Sequence, residues 1–116
     1  MRPVLFIENH DSFSWNVIDA LPFERRQVRV LSAENVTPAE LDACGVVVLG
    51  PGPMDPVRAG LVELVRDIAA RRLPFLGVCL GHQALGLAFG ATLINSTPAH
   101  GKRALARFDD GRTREV

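Results

Sequence analysis

The stretch FLGVCLGHQ, residues 75–83, joins an apolar run to a helical pattern. The run over residues 75–78 predicts a buried strand, and the apolar spacing after Cys79 predicts a helix. Cys79 stands at the turn between them, with Gly77 and Gly81 two positions away on either side. A nucleophile-type residue in a G-x-Nuc-x-G turn between a strand and a helix is typical of a nucleophile elbow.

The chemistry of an elbow explains the residue types at these positions. A strained turn makes the central side chain project from the sheet, and glycines on both sides avoid clashes where strand and helix meet. At a helix N-terminus the dipole favours a thiolate at Cys79, and the N–H of Leu80 can stabilise an oxyanion. A purely structural cysteine is the alternative that the spacing leaves open.

The segment GPGPMDP, residues 50–56, follows the strand predicted over residues 46–49. In an open parallel α/β sheet, ligands bind outside the carboxyl ends of the strands. Because Cys79 also follows a predicted strand, we expect both turns at one edge of the sheet. Gly52 is then the best candidate for a second oxyanion-binding N–H opposite the thiol.

Apolar runs alternate with helical patterns along the whole chain, which predicts an α/β fold with a parallel sheet and helices on its faces. Strands are expected over residues 4–7, 28–31, 46–49, 75–78 and 91–94. A weak alternation over residues 103–108 ends at the turn signal DDG, residues 109–111, and no further strand is expected after it.

Helix signals separate the predicted strands. Ser12 is the expected cap of a helix over residues 13–21, and Thr37 caps a short helix with proline at its first position. An amphipathic helix is expected over residues 57–72, and the helix after Cys79 is expected to continue to Gly90.

The composition excludes several classes of protein. The chain has 116 residues, of which 13 are basic and 13 acidic, so it lacks the basic excess of a nucleic-acid-binding protein. Its apolar runs are shorter than a membrane span, and the first run is stopped by Glu8 without a signal-peptide cleavage site, so we expect a single cytoplasmic domain. Cys44 and Cys79 form no disulfide framework, and their spacing is not that of a zinc site.

Four segments, VLFIENHDSFSWNV, VVVLGPGPMDP, PFLGVCLGHQALGLAFGA and PAHGK, resemble in order and spacing the signatures of class I (triad-type) glutamine amidotransferases. The nearest branch is the small subunit of anthranilate synthase and of aminodeoxychorismate synthase. The resemblance implies a flavodoxin-like three-layer domain over residues 1–116. It also implies hydrolysis of L-glutamine and delivery of ammonia to a chorismate-using synthase large subunit, with no cofactor and no metal.

The resemblance assigns a role to each matching residue. Cys79 would attack the side-chain amide of glutamine and form a γ-glutamyl thioester. Leu80 and Gly52 would supply the oxyanion-hole N–H groups and so contact the substrate, and Gln83 would bind the glutamine.

The chain departs from the family pattern at several points. Gly50 stands where the family has serine, Glu8 stands where it has aspartate, and Met54 stands where it has glycine, so a left-handed backbone at Met54 would be strained. The family's catalytic histidine and glutamate lie well downstream of the HGK segment. The chain stops at Val116 before that motif, so we expect it to be C-terminally incomplete and weak or inactive alone.

Three histidines are candidates for the missing base. His10 follows the first strand at the functional edge, His82 lies on the helix after Cys79 and is expected to pack, and His100 is expected in a loop or facing a partner.

A non-catalytic module that binds the synthase is the alternative function. A third possible function keeps the cysteine elbow but assigns it a different reaction, as in α/β hydrolase-like proteins. The GPGPMDP and HGK segments argue against this third function.

Overall fold

Four parallel strands form the central sheet of the computed structural model, which describes residues 2–97 and 101–116. They are β1 (Val4–Glu8), β2 (Val28–Ser32), β3 (Val46–Leu49) and β4 (Phe75–Gly77). Their order across the sheet is β2-β1-β3-β4. The uninterrupted apolar runs therefore occupy the central strands β1 and β3, as expected for strands buried on both faces. The parallel sheet predicted from the sequence is confirmed.

Helices cover both faces of this sheet. They are α1 (Ser14–Ala20), α2 (Pro38–Ala43), α3 (Leu61–Ala70) and α4 (Leu80–Ala88), with single 3₁₀ turns at Arg25–Gln27 and Ala33–Asn35. Leu41 of α2, Val65 of α3 and Ala84 of α4 pack in one buried cluster, whereas Ile18 of α1 packs in a second cluster. The structure is thus a three-layer α/β sandwich, with three helices on one face and one on the other.

The start of α1 differs from the prediction. The helix begins at Ser14, and Phe13 at the cap position makes no side-chain capping bond. The carboxylate of Asp11 accepts a hydrogen bond from the Phe13 N–H at 3.0 Å. The prediction of Ser12 as the cap is wrong, because Asp11 holds the turn that precedes the helix. The prediction for Thr37 is confirmed, since its side chain accepts from the N–H of Glu40.

The third helix is shorter than its apolar pattern suggested. It starts at Leu61 because Gly60 has a left-handed backbone with φ of 72°, which a helix cannot contain. The preceding residues form a turn held by Asp55, whose Oδ1 accepts the Val57 N–H at 2.8 Å. The predicted apolar face is correct: Leu61, Leu64, Val65 and Ile68 all pack in the core.

The strand predicted over residues 91–94 is absent. The Ala91 N–H instead donates to the Gly86 carbonyl at 2.8 Å and closes the end of α4, and Ile94 is 84% exposed. A strand needs a neighbour for its peptide groups, and no described strand pairs with this segment.

An antiparallel pair, β5 (Leu105–Arg107) and β6 (Thr113–Glu115), follows. The expectation that no strand follows residues 109–111 is therefore wrong. Gly111 adopts a φ of 86°, and the Arg112 N–H donates to the side chain of Asp110 at 2.9 Å, so the chain reverses there.

Of the HGK segment, His100 lies outside the described residues. No helix in the described chain is long and apolar enough to cross a membrane.

The end of α3 contains a backbone conformation that is unfavourable for its residue. Arg72 has a φ of 56°, and its N–H donates to the Ala69 carbonyl at 2.9 Å. A left-handed conformation costs a residue with a side chain roughly 1–2 kcal/mol, and glycine largely avoids this cost.

We therefore expect Arg72→Gly to raise the free energy of unfolding by about 1 kcal/mol. Arg66→Gly, the same substitution inside α3, should lower it by about 1 kcal/mol because glycine is unfavourable in a helix interior. Urea unfolding followed by circular dichroism measures both. A lower stability for Arg72→Gly would contradict the prediction.

Candidate active site

Cys79 lies at the turn between β4 and α4 with a strained backbone. Its φ is 53° and its ψ is −105°, outside the regions that residues with side chains ordinarily occupy. The turn is held on both sides: the Val78 N–H donates to Leu49 of β3 at 2.9 Å, and the Gln83 N–H donates to the Cys79 carbonyl at 3.0 Å. Cys79 itself is exposed. Such strain is maintained only where the surrounding structure fixes the backbone.

The two flanking glycines are required by close packing. A Cβ added to Gly77 would lie 2.7 Å from the Gly81 carbonyl, and a Cβ added to Gly81 would lie 2.4 Å from the Leu49 carbonyl. These separations are shorter than any side chain tolerates. The first turn of α4 therefore lies directly on the ends of β3 and β4, which is the reason for the glycine spacing around Cys79.

The GPGPMDP turn lies beside the residue that follows Cys79. A Cβ added to Gly52 would come within 2.7 Å of Leu80 Cδ2, so the Gly52 backbone lies against the Leu80 side chain. Leu80 is the first residue of α4, and its N–H has no acceptor within the helix. The structure thus brings the Gly52 backbone against the Leu80 side chain at the carboxyl edge of the sheet, where Leu80 follows Cys79.

Asn9 is a positioning residue that the sequence analysis missed. It is buried, and its side-chain amide donates to the Gly50 carbonyl at 3.0 Å, which ties the end of β1 to the end of β3. A Cβ added to Gly52 would lie 2.6 Å from the Asn9 Cβ. The position of Asn9 immediately after β1 was the available signal, because a polar residue at the end of a buried strand stays buried only when it is hydrogen-bonded.

The glycine at position 50 has a local steric reason. A Cβ added to Gly50 would lie 2.8 Å from the ring of Phe6 and 3.1 Å from the Ile7 carbonyl. A serine would therefore require Phe6 to move.

The strain considered for Met54 does not arise, because its backbone has no positive φ. Glu8 accepts a hydrogen bond from the Asp11 N–H at 2.9 Å.

The histidine after β1 pairs with a carboxylate that follows β2. His10 also has a left-handed backbone, with φ of 60°, and its Nε2 lies 2.8 Å from Glu34 Oε1. Two hydrogen bonds lower the pKa of Glu34. The backbone hydrogen bond has the larger effect, and the side-chain bond with His10 has the smaller one. Glu34 follows β2, whereas Cys79 follows β4, and β3 lies between β1 and β4. The ends of β1 and β4 are therefore about 10 Å apart, with His10 engaged on the far side.

The remaining candidates occupy different environments. His82 and Gln83 are both exposed on the first turns of α4. Cys44 is buried, its thiol donates to the Leu41 carbonyl, and burial raises its pKa. No group of metal-ligating side chains occurs within residues 2–97 and 101–116. Within those residues, no side-chain hydrogen bond joins a histidine to Cys79.

Known proteins are similar to this chain in sequence. The family model described as glutamine amidotransferase class-I matches residues 5–113. The pyocyanine-specific anthranilate synthase component 2 of Pseudomonas aeruginosa is 40% identical over 112 residues, covering 91% of this chain and 56% of that protein. Aminodeoxychorismate synthase component 2 of Escherichia coli is 40% identical over 103 residues, covering 85% of this chain and 54% of that protein.

A solved structure is similar as well. The crystal structure of a glutamine amido transferase from Methylobacillus flagellatus matches with a TM-score of 0.52 and 29% identity, covering 78% of this chain and 39% of that one. The predicted flavodoxin-like fold is confirmed. The chain spans about half the length of the relatives that it matches.

Two glycines of α4 make a matched test of the elbow packing. Gly81→Ala should lower the free energy of unfolding by about 2 kcal/mol or more, because its methyl group would collide with the Leu49 carbonyl. Gly86→Ala should raise it by about 0.5–1 kcal/mol, because its methyl group would make only an ordinary 3.5 Å contact and alanine favours a helix. Urea unfolding measures both. Equal effects would show that the elbow is not closely packed.

Proposed function

Because the chain belongs to the class-I glutamine amidotransferase family, we propose that it is the nucleophile-bearing portion of a glutaminase subunit. The subunit releases ammonia from L-glutamine for a chorismate-using synthase that makes anthranilate or aminodeoxychorismate. The names of the relatives support this choice of partner. The observation that carries the proposal is the strained Cys79 at the start of α4, with the Gly52 turn beside Leu80.

In the proposed reaction, the Cys79 thiolate attacks the side-chain carbonyl carbon of glutamine. The carbonyl oxygen becomes an oxyanion, which accepts hydrogen bonds from the N–H groups of Leu80 and Gly52. The nitrogen leaves as ammonia after it is protonated, and a γ-glutamyl thioester remains on Cys79. Water then hydrolyses the thioester to glutamate and restores the thiol. Gln83 contributes to binding the substrate.

The reaction requires a base for the thiol and an acid for the leaving ammonia. His10 is engaged with Glu34 on the far side of β1, and it is a poor candidate for this role. His82 follows Cys79 on the same helix, and an elbow directs its nucleophile away from the helix body. We therefore propose that the base and its orienting carboxylate come from polypeptide equivalent to the part of the relatives that this chain does not span.

A second candidate function is a non-catalytic module that binds the synthase. The two functions differ in their dependence on the thiol, because binding by such a module would survive Cys79→Ser unchanged and would not be accompanied by ammonia release.

A glutamine-mimicking diazoketone should alkylate Cys79 and leave Cys44 unmodified. Cys79 is exposed at the proposed substrate site, whereas Cys44 is buried and hydrogen-bonded. Mass spectrometry of tryptic peptides locates the adduct, and excess L-glutamine should suppress it. Iodoacetamide is the control for thiol access. Modification of Cys79 by iodoacetamide but not by the glutamine mimic would contradict the proposed substrate.

The chain alone should release ammonia from glutamine about a thousandfold or more slowly than a full-length relative, because a missing triad member costs several orders of magnitude. A coupled ammonia assay on the chain and on Cys79→Ser measures this. Rapid turnover that Cys79→Ser abolishes would show that the base lies within the chain. His10→Ala and His82→Ala would then identify it.

A further inference from the structure

A cleft separate from the Cys79 turn lies at the carboxyl edge of the sheet. It has a volume of about 290 Å³. Besides two alanines, it is lined by residues that follow β1, β2 and β3: Asn9, His10, Glu34, Met54 and Arg58. All of its lining residues precede β4 in the chain, so Cys79 and Leu80 are not part of it. The volume is at the lower end of the range for ligand pockets, which suits a molecule the size of an amino acid.

The strand order β2-β1-β3-β4 explains why a cleft opens at this place. After β1 the chain crosses to β2 on one side, whereas after β3 it crosses to β4 on the other side. The helices in these two connections, α1 and α3, pack on opposite faces of the sheet. The connections therefore lead apart and leave a crevice between the ends of β1 and β3. Ligands of open parallel α/β sheets bind in a crevice of this kind.

Asn9 has an unused hydrogen-bond acceptor at this cleft. Asn9 is only 4% exposed, and its amide nitrogen donates to the Gly50 carbonyl at 3.0 Å. Its amide oxygen accepts no hydrogen bond from any residue that the structure describes. A nearly buried polar atom without a partner is unfavourable. A ligand in the cleft that donates a hydrogen bond to this oxygen would remove the cost.

Two side chains of opposite charge line the cleft without pairing with each other. The Glu34 carboxylate lies 2.8 Å from His10 Nε2, and hydrogen bonds lower its pKa, so it stays ionised. The Arg58 N–H donates to Asp55 Oδ1 at 3.3 Å, which holds the turn that carries the guanidinium. Within the described residues this guanidinium forms no ion pair. Because a carboxylate accepts more hydrogen bonds than His10 supplies, both charges remain available to a ligand.

The charges that line two other clefts already have partners. One of these clefts contains Arg29 and Glu40, which form two hydrogen bonds with each other at 2.8 and 2.9 Å. The other lies beside α3 and contains Glu63 and Asp67, each of which pairs with an arginine three or four residues later. A ligand at either place would have to break these pairs, whereas the cleft beside Asn9 requires no such exchange at Arg58.

We propose that the cleft beside Asn9 binds a small α-amino acid with an apolar side chain. The carboxylate of the amino acid pairs with Arg58. Its ammonium group donates to Glu34 and to the amide oxygen of Asn9, and its side chain lies against Met54. A simple anion would be repelled by Glu34 and a simple cation by Arg58, whereas a zwitterion is complementary to both. The inference goes beyond the proposed function and does not rest on it, because an apolar amino acid has no side-chain amide for Cys79 to attack.

The test uses the full chain, L-leucine as the probe and NMR of methyl-labelled methionine. The chain has two methionines, Met1 and Met54, and Met54→Leu assigns their signals. We expect L-leucine to shift the Met54 signal saturably in the millimolar range and to leave the Met1 signal unchanged. L-leucinamide lacks the carboxylate, and N-acetyl-L-leucine lacks the ammonium group. Each should bind at least about tenfold more weakly, because each loses a charge-assisted contact.

Two variants test the two charged contacts. Arg58→Gln and Glu34→Gln should each weaken L-leucine binding at least about tenfold. Both residues are exposed, so the variants should fold, and circular dichroism checks this. Arg107→Gln is the control for the lost positive charge, because Arg107 is exposed on β5. Glu24→Gln is the control for the lost carboxylate, because Glu24 is exposed and also paired, with Arg26. Both controls should bind L-leucine with unchanged affinity.

Several results would overturn the proposal. One is a Met54 signal that stays unchanged up to the solubility limit of L-leucine. Others are equal binding of L-leucine and its two derivatives, or an equal shift with sodium acetate or with isobutylamine. An affinity that neither Arg58→Gln nor Glu34→Gln reduces would also overturn it.

The titration is repeated with Cys79→Ser and with Cys79 alkylated by the glutamine mimic. L-leucine binding that persists in both proteins, and that does not slow the labelling of Cys79, supports a separate site. Slower labelling of Cys79 without a shift of the Met54 signal would place L-leucine at the thiol and overturn the proposal. A Met54 shift in a protein whose Cys79 the glutamine mimic does not label would support the cleft and count against the proposed glutaminase.

Discussion

The first turn of α4 lies so close to the ends of β3 and β4 that no side chain fits between them. Gly81 approaches the Leu49 carbonyl, and Gly77 approaches Gly81. This contact fixes where the helix begins and holds Cys79 in a strained backbone conformation with a positive φ. An exposed thiol at a helix N-terminus is the result. Close packing below the turn thus produces the strain that the proposed chemistry uses.

The same edge of the sheet holds the other parts of the site through Asn9. Its side chain bonds to Gly50, and its backbone and Cβ lie against Gly52, so the GPGPMDP turn is held next to Leu80. The N–H groups proposed to bind the oxyanion would then be fixed by the sheet before a substrate arrives. Groups held in this way need little reorganisation during reaction.

The two faces of the sheet differ in how completely they are covered. Within residues 2–97 and 101–116, α2, α3 and α4 pack on one face and α1 packs on the other; on the α1 face Phe6 is buried, whereas Leu76 of β4 is 51% exposed. No described residue after Ala88 belongs to either buried cluster.

The sequence by itself determined the parallel sheet, the strand over residues 46–49 and the helix that follows Cys79, because apolar periodicity and glycine spacing are local signals. It failed where hydrogen bonds of turns and helix ends override the apolar pattern: residues 91–94 form no strand, Asp11 and not Ser12 holds the turn before α1, and residues 113–115 return as β6. Only the tertiary structure placed Gly52 against Leu80, turned His10 towards Glu34 and left Leu76 uncovered. The order of strands across a sheet sets those neighbours, and no local pattern contains that order.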